Sequence, residues 1–199
     1  MSVAAADARA ELAWHTPDHW AAGVLEDPDA LLGDHAHLEQ AAASNALALV
    51  RRWPEGAEPD RWVARLTGIA RDEVEHLALV SRVLAQRGGR LSRTHRTPYA
   101  SGLREHVRVG GSHDLPDRLL VSAAIELRSY ERFCLLAEAG HELSGLYAGL
   151  RDSEAGHHRV FVHLATQAGA SPADVDRWRE VEGEVARVQP AGFAIHSGV

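Results

Sequence analysis

The sequence predicts an all-α protein: four long helices in an up-down bundle, a long connection between the second and third, and an additional C-terminal helix. Three observations predict it. Of the 199 residues, 45% are hydrophobic, only 6% aromatic, and Ala and Leu dominate over β-branched runs, a profile that favours helix over sheet. Proline and glycine cut the chain into a few long segments. Within those segments apolar residues recur every three or four positions, and nowhere do they alternate as in a strand.

The first segment, 27–53, opens at Asp27-Pro28, with Asp as cap and proline in the first turn, and closes at Trp53-Pro54. The second, 58–88, opens at Glu58-Pro59-Asp60 and stops at Gly88-Gly89; its apolar positions are Trp62, Leu66, Ile69, Leu77, Val80 and Leu84. The third, 115–140, opens at Leu115-Pro116-Asp117 and carries Leu119, Leu120, Ala123, Leu127 and Leu135. The fourth, 141–169, ends at Gly169. The fifth, 171–188, starts with Ser171-Pro172 and an acid at Asp174, a capping-box signature. The four long segments span roughly 35 to 45 Å each as helix, the length of bundle helices. The connection from Gly88 to Leu115 holds GGR, TP, SG and GGSHD, with one short helix expected around Leu103–Val107. So long a connection in a compact domain usually carries function or lacks order. Residues 1–26 read as an N-terminal flap, with Thr16-Pro17 capping a short turn, and the whole chain reads as one domain.

The formal net charge is −7, which argues against a general polyanion binder. Positive charge is unevenly placed. There is no lysine, and seven of the arginines fall between Arg82 and Arg108 against one acid, Glu105. The single cysteine, Cys134, excludes an internal disulfide and suits a reducing cytoplasm. The N-terminus resembles neither a signal peptide nor an anchor, and no apolar run is long enough to span a bilayer.

The chemistry lies in a repeated pattern. Glu73-Val-Glu-His76 stands midway along the second segment, and Glu154-Ala-Gly-His157 midway along the fourth. Residues three apart share a helical face, so each pair can present a carboxylate and an imidazole to one metal. Glu39 and Glu126 stand in the middle of the other two segments. One Glu-x-x-His is a weak signal. Two on alternate helices, with a lone Glu centred on each of the others, make the ligand set of ferritin-like di-metal carboxylate bundles. Carboxylate and imidazole suit two iron, or manganese, ions and not an iron–sulfur or structural zinc site. On the third segment Glu131 is the alternative to Glu126, which is preferred because Ser122 and Ala123, one turn back, are small. Glu75 and His158 read as bystanders. Metal-bound histidines usually donate their second nitrogen to an oxygen; Asp72 is a candidate acceptor for His157, and Asp152 or Ser153 for His76. Asp34, His35 and His37 either support Glu39 or face water. Leu38, Ala42, Ala123 and Phe161 are candidates for apolar walls.

Four blocks carry a family resemblance: LLGDHAHLEQAAA (31–43), IARDEVEHL (69–77), LLVSAAIELRSYERF (119–133) and LRDSEAGHHRVF (150–161). Together, over about residues 28–165, they resemble the bacterial tRNA hydroxylases that act on isopentenyl or methylthio-isopentenyl adenosine beside the anticodon. The resemblance implies a ferritin-like fold, six iron ligands at Glu39, Glu73, His76, Glu126, Glu154 and His157, and dioxygen as co-substrate. It implies an external electron donor of reductase or ferredoxin type. Glu73 and Glu154 would bridge the ions. Two positions depart from the family pattern. Glu75 replaces an expected histidine. Tyr130, one turn after Glu126, replaces a small residue or cysteine and would narrow the oxygen or substrate pocket. With tRNA as substrate, Arg87, Arg90, Arg93, Arg96, Arg104 and Arg108 become candidates for gripping anticodon-arm phosphates, and Tyr99 for stacking on a base. Two other readings compete: a ferritin-like iron oxidase or peroxidase without RNA, and a metal-free helical interaction module.

Overall fold

The computed structural model describes residues 3–198, and among them the regular structure is helical throughout. Eight α-helices follow in order: α1 Val3–Glu11, α2 Trp20–Val24, α3 Pro28–Leu49, α4 Pro59–Gln86, α5 Pro98–Glu105, α6 Asp114–Glu138, α7 Ser144–Gln167 and α8 Pro172–Arg187. A single 3-10 turn, Gly111–His113, leads into α6. None of the described helices is long and apolar enough to cross a membrane. The chain forms two compact units.

One unit comprises 27–96 and 193–195 and is built on the α3–α4 hairpin. Asp27 caps α3 as its sequence predicts, its side chain accepting the Ala30 N–H at 3.0 Å. The helix ends at Leu49, four residues before the predicted stop. Pro54 disfavours helical backbone just before it, and the chain leaves through tight turns from Val50 to Leu47 and from Arg52 to Leu49. Trp62 of α4 is buried and donates its indole N–H to the Leu49 carbonyl at 3.0 Å, closing the hairpin at that end. At the other end α4 stops at Gln86, and the chain turns away at Gly88, whose φ of +88° only glycine adopts freely.

The other unit comprises the described residues of 1–26 with 97–192 and 196–198. Its axis is α6, buried over 19 of its 25 residues and packed by α1, α2, α5, α7 and α8. The N-terminal segment is more ordered than a flap with one short turn: it forms two helices, both packed on α6. The short helix of the long connection runs Pro98–Glu105, earlier than expected, because proline starts it and Tyr99, Ala100 and Leu103 are buried on one face. The third segment's helix stops at Glu138, before Gly140 with its φ of +69°. The fourth starts at Ser144, not His141; the Ser144 hydroxyl takes the His141 N–H at 3.1 Å and donates to the Leu136 carbonyl. Ser171 and Asp174 form the predicted capping box of α8.

Candidate metal centre

Each unit brings three predicted ligands together. In the α3–α4 hairpin, one ligand atom each from Glu39, Glu73 and His76 lies within 4.8 Å of the others. His76 Nδ1 is 3.5 Å from a carboxylate oxygen of both Glu39 and Glu73. Local sequence decides half of this, since Glu73 and His76 share a face of α4 by their spacing. Hairpin packing adds Glu39 from α3. In the α6–α7 pair, Glu126, Glu154 and His157 gather under the same 4.8 Å limit, and all three are buried.

The electrostatics of the first trio show what it lacks. Burial raises the Glu39 carboxyl well above its usual range, and the neighbouring Glu73 carboxylate adds to the rise. Burial works to lower His76, but bonds and charges from Glu39 and Glu73 outweigh it and push the imidazole up to about 10. The two buried carboxylates thus favour a proton on the imidazole beside them. A divalent cation would offset them more completely, and the donor set of two carboxylates and one imidazole in each trio fits iron or manganese.

Support for the ligands comes from residues weighed differently in the sequence. His35, fully buried, sets Nε2 2.5 Å from Glu39 Oε1. Burial pushes its pKa down to about 3, so the ring is neutral and orients Glu39. Ser153 meets His157, not His76: its hydroxyl lies 3.3 Å from Nε2. Asp152 is 83% exposed beside Arg151, too solvated to orient a buried imidazole. Asp72 binds Arg71 at 2.8 Å on the surface of α4. Tyr130 packs in an apolar cluster with Ala5 and Ala8 of α1, with Leu12 just after it, and with Cys134 and Ala155. Ala123 lines a cleft of about 330 Å³ with Leu120, Leu127 and Trp178, while Phe161 is buried and Leu38 and Ala42 are half-buried. Glu75 is exposed beside Arg71, and His158 bonds the Ala123 carbonyl.

The two glutamates weighed for the third segment lie in different surroundings. Glu131 accepts from the Thr16 backbone N–H at 2.9 Å, from the Thr16 hydroxyl at 2.6 Å and from Arg128 at 2.5 Å. Arg128 also makes a two-pronged pair with Glu182 of α8, at 2.7 Å on each oxygen. This buried network tethers three elements and leaves Glu126 as the carboxylate beside Glu154 and His157. Its members, Arg128 and Glu182 above all, carry no sequence signature, because their partners lie far along the chain.

The basic connection separates into two groups. Arg87 is held by Asp29 at 2.6 Å, and Arg108 spans Asp117 and Asp174, so their charges are spent within the fold and they do not serve as free phosphate grips. Tyr99 is buried, donates to Glu182 at 2.8 Å and stacks on His196, which removes it as a base platform. Arg90, Arg93, Arg96 and Arg104 are exposed.

Comparison with known proteins gives the same direction. The family profile described as tRNA-(MS[2]IO[6]A)-hydroxylase (MiaE) matches residues 4–197. The chain is 37% identical over 189 residues to the tRNA 2-(methylsulfanyl)-N(6)-isopentenyladenosine(37) hydroxylase of Pseudomonas putida, covering 92% of this chain and 90% of that one. It is 28% identical over 233 residues to the enzyme of the same name from Salmonella typhimurium, covering 92% and 86%. Among solved structures it is similar to a Synechococcus protein with aldehyde deformylating oxygenase activity, with a TM-score of 0.83 and 29% identity over 94% of this chain and 96% of that one. That likeness establishes the ferritin-like helical fold.

Proposed function

Because the chain belongs to the tRNA-(MS[2]IO[6]A)-hydroxylase family, we propose that it is a tRNA hydroxylase, a non-haem di-iron monooxygenase acting on the isopentenyl side chain of (methylthio-)isopentenyladenosine beside the anticodon. The observation that carries this reading is the match over almost the whole chain, combined with two buried carboxylate–histidine trios.

Glu39, Glu73 and His76, with Glu126, Glu154 and His157, would hold two iron ions, or manganese. Metal bound there supplies the oxygen activation that no side chain provides. The chain's own residues do the rest. Burial of the carboxylates keeps water away, His35 fixes Glu39, and Ser153 fixes His157. Phe161 follows Glu154 by two turns of α7, so it lies on the ligand face as an apolar wall. In the overall balance a C–H bond of the prenyl group becomes C–OH. The second oxygen atom of dioxygen leaves as water, with two electrons and two protons supplied by an external donor of reductase or ferredoxin type. Such an enzyme works in the cytoplasm, and its tRNA contacts fall to the exposed Arg90, Arg93, Arg96 and Arg104.

The test is mass spectrometry of nucleosides after the reduced, iron-loaded protein has met prenylated tRNA and oxygen. The expected product is a prenyl-adenosine one oxygen atom heavier, absent when Glu126→Ala replaces the wild type. Oxygen consumption with unmodified prenyl-adenosine alone would favour an iron oxidase or peroxidase. Purification without metal and full stability in chelator would favour an interaction module.

A further inference from the structure

Asp34 stands on the second turn of α3, and both its oxygens are committed. Oδ1 is 2.7 Å from His95 Nε2, and Oδ2 accepts the Ile195 backbone N–H at 2.7 Å. One carboxylate therefore ties the connection after α4 and the C-terminal segment 193–195 to the same point. His37, three residues along α3, reaches the Ser92 carbonyl at 3.0 Å and stacks on His95, with ring centroids 4.7 Å apart and planes 12° from parallel. The connection is thus fastened at Ser92 and His95, and Arg93 lies between the two fasteners.

What this corner displays is basic and aromatic. Arg90, Arg93 and Arg96 are exposed and enter no ion pair among the described residues. The nearby acids, Asp29 and Asp34, are taken by Arg87 and His95. Phe193 is 41% exposed, although it lies only two residues from the tied Ile195. Two residues of chain reach about 7 Å at most, so the ring stays near Asp34, as do Arg93 and Arg96 on the other side of the tie.

We propose that this corner is a platform for single-stranded RNA. Arg90, Arg93 and Arg96 take phosphates, Phe193 stacks under a base, and Asp34 is the positioning residue that brings the two together. The proposal rests on the tRNA reading above and names where the strand lies. Bare guanidiniums beside an aromatic face match a polyanion whose every unit carries a π-face, and one isolated apolar side chain is too little for a membrane or a protein core contact. Asp34 and His37 stand roughly 140–160° around α3 from Glu39, at 100° per residue. The platform therefore receives a nucleotide flanking the one that reacts, not the prenylated base itself.

Binding of a fluorescent anticodon stem–loop RNA, measured by anisotropy across a salt series, tests this. Arg93→Gln with Arg96→Gln should weaken binding at least tenfold and reduce the salt slope by roughly two. Phe193→Leu should weaken binding about five- to a hundredfold with an unchanged salt slope, the signature of a lost stack. Asp34→Asn should lose part of both, and Asp34→Glu should restore part of both, which a merely structural role would not do. Metal content should be unchanged in all of them. Wild-type affinity in Phe193→Leu, or an unchanged salt slope in the double arginine variant, overturns the platform. If these variants bind and hydroxylate like the wild type, the platform fails and the hydroxylase reading stands. If the wild type makes no hydroxylated nucleoside while the variants still lose RNA, the platform stands and the substrate assignment fails.

Discussion

In the α3–α4 hairpin, Glu39, Glu73 and His76 stand among helices that are largely solvated; only 8 of the 22 residues of α3 and 7 of the 28 of α4 are buried. In the other unit the matching trio spans α7 and α6, and α6 is a helix buried along most of its length and joined to an ionic network of Arg128, Glu131 and Glu182. Both regions bury carboxylates, yet they compensate them differently. Around α6, the Arg128 guanidinium pairs with Glu131 and Glu182, while Glu126 gathers with Glu154 and His157. In the hairpin the His76 imidazole lies 3.5 Å from both Glu39 and Glu73, and the two carboxylates favour a proton on it. The network carboxylates are met by a guanidinium, the hairpin carboxylates by an imidazole.

The largest effect that can break this comparison is in the network. Arg128→Met leaves Glu131 and Glu182 buried without their main cation, and the urea midpoint should report a loss of about 3–5 kcal/mol. A loss under about 1 kcal/mol would mean that the network is not the structural counterpart of the ligand trio.

A smaller effect sharpens the other side. His76 has its pKa raised in the fold, so the stability it contributes is complete below pH 6.5 and is lost as pH rises toward about 10. The Glu39 shift has the same sign, because a raised carboxyl favours the protonated fold at low pH. Arg132, which burial and then Arg128 lower to about 9, works in the opposite direction only above that pH. Chelator-treated protein should therefore lose on the order of 2 kcal/mol between pH 6.5 and 9. His76→Asn should flatten the profile. Loading with iron should reverse its direction, since binding metal displaces protons. A flat profile in the chelated wild type would show that the hairpin trio does not depend on a borrowed proton.

The smallest expected effect concerns the caps. Asp27→Ala and Ser171→Ala remove the side-chain acceptors at the starts of α3 and α8, and each should cost about 1 kcal/mol in the same urea experiment. Equal costs would show that capping is indifferent to the burial that distinguishes the two regions.

Legibility in the sequence followed the range of the interaction. Helix starts at Asp27-Pro28, Glu58-Pro59 and Ser171-Pro172 were readable because a cap and its helix are neighbours in the chain. Each Glu-x-x-His pair was readable because the helical repeat alone puts its two side chains on one face. Errors began where a partner lay elsewhere. Tyr99 reads as an exposed aromatic on a basic loop, yet Glu182 and His196 bury it. Arg87 and Arg108 look like free cations beside Arg93, yet Asp29, Asp117 and Asp174 claim them.

By itself, then, the sequence determined the helices, their stops and the local halves of the ligand pattern, since backbone geometry fixes those within a few residues. Only the tertiary structure decided which glutamate of α6 is held by Arg128, which arginines remain in solvent, and that Asp34 joins two distant segments at one carboxylate. The physical reason is that a charge is satisfied by whatever opposite charge or donor comes within about 3 Å, and packing, not chain order, sets that distance.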